Sequence, residues 1–272
     1  MDKVSVVVPT KNSANTLESC LRSIREQTYP AIECIVVDNF STDATPDIAR
    51  KWADHFFSQG PERSTQRNYG AKQASGKYVV FIDSDMILTP KVIEDCVSRM
   101  DEATAGVVIP ETSFGPTFWA KCKAIERACY VGDPYIEASR FFRREDFLAA
   151  GGYNEDLIGN EDWALHNEIE KRGAIRRIDS FIHHNEGHIT LFKSAAKKGY
   201  YSTTFDKYRR MYPEKAKYQY STGYRLGLLL KGWKQFFAHP LAYLGMFLMK
   251  VLELLAYKTK SRKSLDEVYK SH

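Results

Sequence analysis

Two aspartates one residue apart, Asp83 and Asp85, close the apolar run YVVFI (78–82) in the segment KYVVFIDSDM. In an extended segment residues i and i+2 point the same way, so the two carboxylates are expected to converge. Carboxylates that close repel, and a nearby positive charge relieves them. A hard divalent cation, Mg2+ or Mn2+, suits such a pair and keeps water and substrate phosphates as further ligands. A second acidic pair, Glu161 and Asp162, opens the helical segment NEDWALHNEIEKRG (160–173). The helix dipole favours the ionised form of an acid placed there, which suits it to take a proton from a hydroxyl. Three histidines, 183, 184 and 188, follow in IHHNEGH.

The elements around these residues decide whether they meet. VSVVVPT (4–10) and IECIVVDN (32–39) read as buried strands, as do KYVVFID (77–83) and AGVVIP (105–110). Segments 13–28, 45–55, 62–75 and 89–100 carry helical spacing or caps, with Thr89 as an expected N-cap and Pro90 behind it. Strands alternating with helices predict an α/β fold with a mostly parallel sheet. Ligands of such sheets bind outside the carboxyl ends of the strands. Pro9 to Asn12, Asp38, and Asp83 to Asp85 all fall at those ends. In RFFRRE (140–145), Arg143 and Arg144 are candidates for a phosphate or acceptor contact, or else simple solvated arginines at a strand-to-helix turn.

Composition narrows the class. The five cysteines are scattered without a C-x-x-C, so reduced thiols are expected rather than a disulfide framework or zinc site. No secretory signal is visible at the start. The net charge of +5 hides a balance of +12 over 193–272 against −7 over the rest. A basic tail on an acidic body suggests an anionic surface as partner. YRLGLLLKGWKQFFAHP (224–240) and LAYLGMFLMKVLELLAY (241–257) are apolar segments laced with lysine, too interrupted for a membrane span. They read as in-plane membrane helices or as helices packed on the core, and the basic count favours the membrane. Nucleic acid is disfavoured as a partner, since the basic residues alternate with Leu and Phe and no recognition motif is present. No G-x-G-x-x-G follows the first strand, which speaks against a nicotinamide dehydrogenase. A sugar nucleotidyltransferase is disfavoured for want of a Gly-rich phosphate loop there.

The succession VVVPTKN, IVVDNFSTD, RNYGAKQASGKYVVFIDSDM and FLAAGGYNEDLIGNEDWAL resembles the family 2 glycosyltransferases of the GT-A fold, over about residues 3–210. The resemblance implies a Rossmann-like, mostly parallel sheet flanked by helices, with residues 211–272 as a basic amphipathic helical extension. It implies a nucleotide-diphosphate sugar as donor, UDP being the first expectation. Pro9, Thr10 and Asn12 would line the nucleotide pocket, Asp38 would meet the base, and Arg67 with Asn68 would pack on the nucleotide side. Asp83 would lie by the donor's ribose, Ser84 would belong to the nucleotide-sugar site, Asp85 would ligate Mn2+ or Mg2+, and His184 would join it. Of Glu161 and Asp162, the aspartate would be the catalytic base. The single displacement of this family inverts the anomeric centre. The basic, tyrosine-rich segment 192–213 resembles that of members acting on lipid-linked or envelope glycans. Together these point to a cytoplasmic enzyme, peripheral on the inner face of the cell membrane through 192–263. A polyprenyl-phosphate sugar synthase of the same fold is the nearest alternative, and a basic nucleic-acid-binding protein a distant one.

Overall fold

The computed structural model describes residues 1–259, so the end of the basic run 258–263 and the remainder of the expected extension lie outside the described residues. In chain order the elements are β1 (Val4–Thr10), α1 (Leu17–Arg25), β2 (Ile32–Asp38), α2 (Thr45–Trp52), β3 (His55–Ser58), α3 (Arg63–Gln73), β4 (Tyr78–Phe81), β5 (Met86–Leu88) and α4 (Val92–Ser98). Then come β6 (Thr104–Val108), β7 (Glu111–Phe114), α5 (Phe118–Tyr130), β8 (Ser139–Arg143), α6 (Arg144–Ala149), α7 (Glu161–Glu170), β9 (Ala174–Arg177) and β10 (Ile182–Asn185). The rest is helical: α8 (Leu191–Tyr201), a 3-10 turn (Ser202–Thr204), α9 (Phe205–Met211), α10 (Pro213–Gln219), α11 (Thr222–Lys231), α12 (Lys234–Ala238) and α13 (Pro240–Thr259).

The chain forms two compact units. The first holds residues 1–111, 138–155 and 161–185. Its seven-stranded sheet runs β3-β2-β1-β4-β8-β6-β9, parallel except for β8, which is antiparallel to both β4 and β6. Both faces are covered, which is why the strands read as unbroken apolar runs. Val4, Val6 and Val8 of β1 join Tyr78 and Val80 of β4 in one core. Val7 joins Val79 and Phe81 in the other. The strand order reverses between β1 and β4, and the carboxyl ends of these neighbours open the crevice where such sheets take ligands.

Several expectations need correction. The helix expected to reach residue 55 stops at Trp52, and His55–Ser58 is an edge strand, too short to show a periodicity. The helix at 89–100 starts at Val92 after Lys91, while the Thr89 hydroxyl exchanges hydrogen bonds with the Phe181 backbone. Asp83 to Asp85 are not extended: the Met86 N–H donates to the Asp83 carbonyl at 3.0 Å, closing a turn. The strand alternation that would aim both carboxylates one way therefore ends at Asp83.

The second unit holds residues 112–137, 156–160 and 186–272, as far as these are described. Its core joins Cys122 and Ile125 of α5, Leu228 and Leu229 of α11, and Met246 and Met249 of α13. Lys250 and Glu253, which interrupt the apolar run of 241–257, point into this unit. Lys250 pairs with Glu126 (2.5 Å) and with Glu253, and Glu253 accepts from the Ser194 hydroxyl (2.7 Å). The segment 224–240 is two helices, not one, and breaks at Gly232. A Cβ there would sit 2.2 Å from the Cys129 sulfur, so only glycine allows the approach. All five cysteines are free. No described helix is long and apolar enough to cross a membrane.

Candidate active site

Helix α3 brings the first functional group to the crevice. It lies on β1 and β2, where Gln66 donates to the carbonyls of Thr10 (2.8 Å) and Val37 (2.6 Å) and fixes the helix to both strand ends. The next residue, Arg67, is fully buried. Its guanidinium donates to Asp83 (2.6 Å), Asp162 (3.2 Å) and Glu161 (3.5 Å), and lies 4.9 Å from the centre of the Tyr153 ring. Asp83 and the distant Glu161–Asp162 pair thus converge on one arginine. Asn68 holds the approach to the Glu161–Asp162 pair. Its amide donates to the Tyr153 carbonyl and to Glu155 (both 2.9 Å), and its carbonyl accepts from the Tyr153 N–H (2.8 Å). Gly152 makes this clamp possible, with φ of +71° and no room for a Cβ beside Asn68.

Asp83 follows β4 on the side of Phe81, and Arg140 on the antiparallel neighbour β8 faces the same way. Arg140 binds Glu111 (2.7 Å) and stands 3.7 Å from Asp83. Burial alone would raise the Asp83 carboxyl, but the charges of Arg67, Arg140 and Arg63 outweigh it and hold it far below the usual carboxylate range. Glu161 differs: burial and repulsion from Asp162 raise it, against the pull of Arg63 and Arg67. Of the helix-opening pair, Glu161 is buried while the Asp162 side chain is 30% exposed.

Asp85 turns to a different partner. Strand β10 pairs antiparallel with β5, setting His184 opposite Met86, and the Asn185 N–H donates to the Asp85 carbonyl (2.8 Å). The His184 Nε2 stands 3.1 Å from the Asp85 carboxylate. His183 pairs with Ile87, one step along, and so faces the other side of the strand. A carboxylate and an imidazole at this distance are a donor set that Mn2+ or Mg2+ accepts, given diphosphate oxygens and water for the rest. Among the described residues no three His, Cys, Asp or Glu side chains form a metal cage.

The remaining expected residues line the ends of β1 and β2. Thr10 lies opposite Asp38 in the parallel register, and its hydroxyl donates to that carboxylate (2.9 Å). Pro9, one residue earlier, is buried in β1. Asp38 also accepts from the Ser41 N–H (2.8 Å) and hydroxyl (2.5 Å). The Asn12 N–H donates to the Ser41 hydroxyl (2.7 Å), and its side-chain carbonyl accepts from the Thr42 N–H (2.9 Å). Ser84 bonds the Ser13 hydroxyl (2.9 Å). Arg143 and Arg144 are engaged with backbone carbonyls, of Thr104 and Ala71 respectively, and Arg143 also with Asp146. Sequence reasoning passed over Gln66, Tyr153 and Arg140. Strand parity could have found Arg140, since it shares a face with Phe142, which pairs with Val79.

The family model described as "Glycosyl transferase family 2" matches residues 5–196, and the chain belongs to that family. A β-1,3-glucosyltransferase of Campylobacter jejuni, named for GalNAc(5)-diNAcBac-PP-undecaprenol, is 32% identical over 182 residues, 59% of this chain and 58% of the relative. The chain spans less than two thirds of the length of the curated relatives it matches. The mannosyltransferase PcManGT of Pyrobaculum calidifontis, solved with GDP-Man and Mn2+, shares the fold. Its TM-score is 0.68 at 21% identity, covering 95% of this chain and 86% of that one. Residues 1–349 of Staphylococcus aureus TarS with UDP-GlcNAc align at TM-score 0.51 and 21% identity, over 75% of this chain and 66% of that one. The GT-A fold is therefore the fold of this chain.

Proposed function

We propose that the chain moves a sugar, with inversion, from a nucleotide-diphosphate sugar to a lipid-linked or envelope glycan at the inner face of the cell membrane. The observation that carries this reading is the gathering of Asp83, Glu161 and Asp162 on Arg67, with Asp85, two residues after Asp83, paired to His184. In the displacement the acceptor oxygen bonds to the anomeric carbon as the sugar–phosphate bond breaks. The acceptor's hydroxyl proton passes to Asp162, the more exposed of the helix-opening pair. Glu161, buried behind it, and Arg67 position that carboxylate. Asp85 and His184 would hold a divalent cation, which supplies charge stabilisation to the departing diphosphate. Thr10, Asn12 and Asp38 shape the nucleotide's seat. A carboxylate offers about four acceptor positions, and Asp38 spends three on Thr10 and Ser41, leaving one for a base.

A lipid-linked acceptor agrees with the undecaprenol in the name of the Campylobacter relative and with an apolar face on the second unit. Along α13, Leu241, Leu244, Leu248, Val251 and Leu255 are each at least half exposed, while Ala242, Tyr243, Met246 and Met249 are buried. Trp233 and Phe237 beside α12 are exposed as well, with Lys231 and Lys234 among them. Apolar and aromatic side chains with lysines on one surface suit the interface of an anionic bilayer.

Turnover of a panel of UDP-, GDP- and dTDP-sugars with Mn2+ tests the reading. One donor is expected to release its nucleoside diphosphate. Asp85→Ala and Asp162→Asn should each lower that rate by about 100-fold or more. Equal release by wild type and Asp85→Ala would refute the metal role. Turnover that survives Asp162→Asn would point instead to direct transfer onto a lipid phosphate.

A further inference from the structure

Phe40 is out of place by ordinary rules of stability. Its φ is +50°, in the left-handed region that a bulky side chain rarely adopts. Its side chain is nevertheless 69% exposed. Strained backbone and a wetted aromatic ring both cost folding free energy, and glycine at the same position would avoid both. The loop is held firmly in this shape. The side chain of Asn39 donates to the Pro61 carbonyl (2.5 Å), Ser41 is tied twice to Asp38, and Thr42 is tied to Asn12. One edge of the ring lies near Gly60, where an added Cβ would stand 3.6 Å from it. Strain that the surroundings enforce, on a residue beside a binding crevice, is a sign of function.

The location identifies the function. Phe40 stands two residues beyond Asp38, at the carboxyl end of β2, where the nucleotide's seat is read above. We propose that the Phe40 ring is the platform on which the donor's nucleobase stacks, an inference that rests on the nucleotide-sugar reading of this site. Any base presents a flat π-face, so stacking adds affinity without choosing between uracil and guanine. Phe40 is then what makes the site prefer a nucleotide over a bare diphosphate.

Calorimetry on the full chain with Mn2+ tests this, using UDP, GDP and dTDP against inorganic pyrophosphate. Phe40→Gly should weaken the best nucleotide roughly 10-fold or more and leave pyrophosphate within about twofold. Phe40→Trp should retain nucleotide affinity. Without ligand, Phe40→Gly should melt no lower than wild type, which shows that the loss is not unfolding. Nucleotide affinity within twofold of wild type for Phe40→Gly overturns the stacking role. Equal losses for pyrophosphate and nucleotide overturn it as well. If no nucleotide binds the wild type, the reading of the crevice falls and the platform with it.

Discussion

Replacing Arg67 by Met is the sharpest test of how the acids are held together. The guanidinium is fully buried and is shared by Asp83, Asp162 and Glu161. Methionine keeps much of the volume but removes the charge that the three acids face in common. Removing one partner of a buried pair costs about 3–5 kcal/mol. The Asp83 and Asp162 side chains are 18% and 30% exposed, so water can relieve part of the loss and the lower end applies. At roughly 2–4 °C per kcal/mol, Tm at pH 7 should fall by about 6–12 °C. The pH dependence identifies the cause. Asp83 is depressed in the folded state, so its contribution is present above the unfolded carboxyl range, near pH 4, and is lost as pH falls below that. In the variant, burial is left to raise the carboxyls, and they take up protons already between pH 7 and 4. The gap between the two proteins should thus be widest at pH 7 and narrow towards pH 4, in melts followed by circular dichroism. Arg67→Lys should recover only part of the stability, since an ammonium cannot span three acids as the planar guanidinium does. A Tm for Arg67→Met within 2 °C of wild type at pH 7, or a gap that ignores pH, would refute the reasoning.

Gly152→Ala adds strain at φ of +71° and sets a Cβ 2.5 Å from the Asn68 side-chain oxygen, so it should cost about 2 kcal/mol or more in chemical denaturation and lower turnover with it. Lys198 is half-buried, and desolvation, with the charges of Arg225, Lys250 and Lys123 near it against that of Glu253, brings it down to about 7. A lysine depressed by folding penalises the fold fully below that pH, and the penalty fades as pH rises towards the unfolded value near 10.4. Lys198→Met should therefore raise Tm most at pH 6–7, by the equivalent of roughly 2–4 kcal/mol, and hardly at all at pH 10; an equal gain at both would show that charge is not the reason. Leu244→Glu with Leu248→Glu, on the exposed side of α13, should abolish sedimentation with anionic vesicles while leaving Tm within a few degrees; vesicle binding that persists would remove this face from the membrane.

The sheet was legible because its strands are covered on both faces, which leaves a continuous apolar signature in VSVVVPT and YVVFI. The acids at their ends were legible too, since charge at the limit of an apolar run has few structural excuses. What could not be read was partnership. Arg67 and Asp162 lie 95 positions apart in the chain, and only the packing of α3 on the sheet brings them together. Arg143 and Arg144 drew attention as neighbours in sequence, yet both are spent on backbone carbonyls and, for Arg143, on Asp146. Arg140, on the other parity of β8, is the one that faces Asp83. Lys250 and Glu253 misled in a similar way. Counted along the chain they spoil an apolar helix, but three positions apart they share its inner side, and the outer side from Leu241 to Leu255 stays apolar.

The two aspartates of DSD thus answer their repulsion separately. Had the segment stayed extended, both carboxylates would have shared one face, and a cation between them would have been the simplest remedy. The turn after Asp83 divides them. Asp83 is neutralised by arginines that the fold itself supplies, and it would need no ion to remain charged in the crevice. Asp85 faces a histidine, a neighbour that can give way to a cation or share one. In the proposed reading a cation would be held by Asp85 and His184, while Asp83 and Arg67 form a fixed charge pair that holds the helix of Glu161 and Asp162 to the end of β4. Substitution at Asp83 should accordingly be felt in stability and in the placement of Asp162, and substitution at Asp85 in the dependence on the ion.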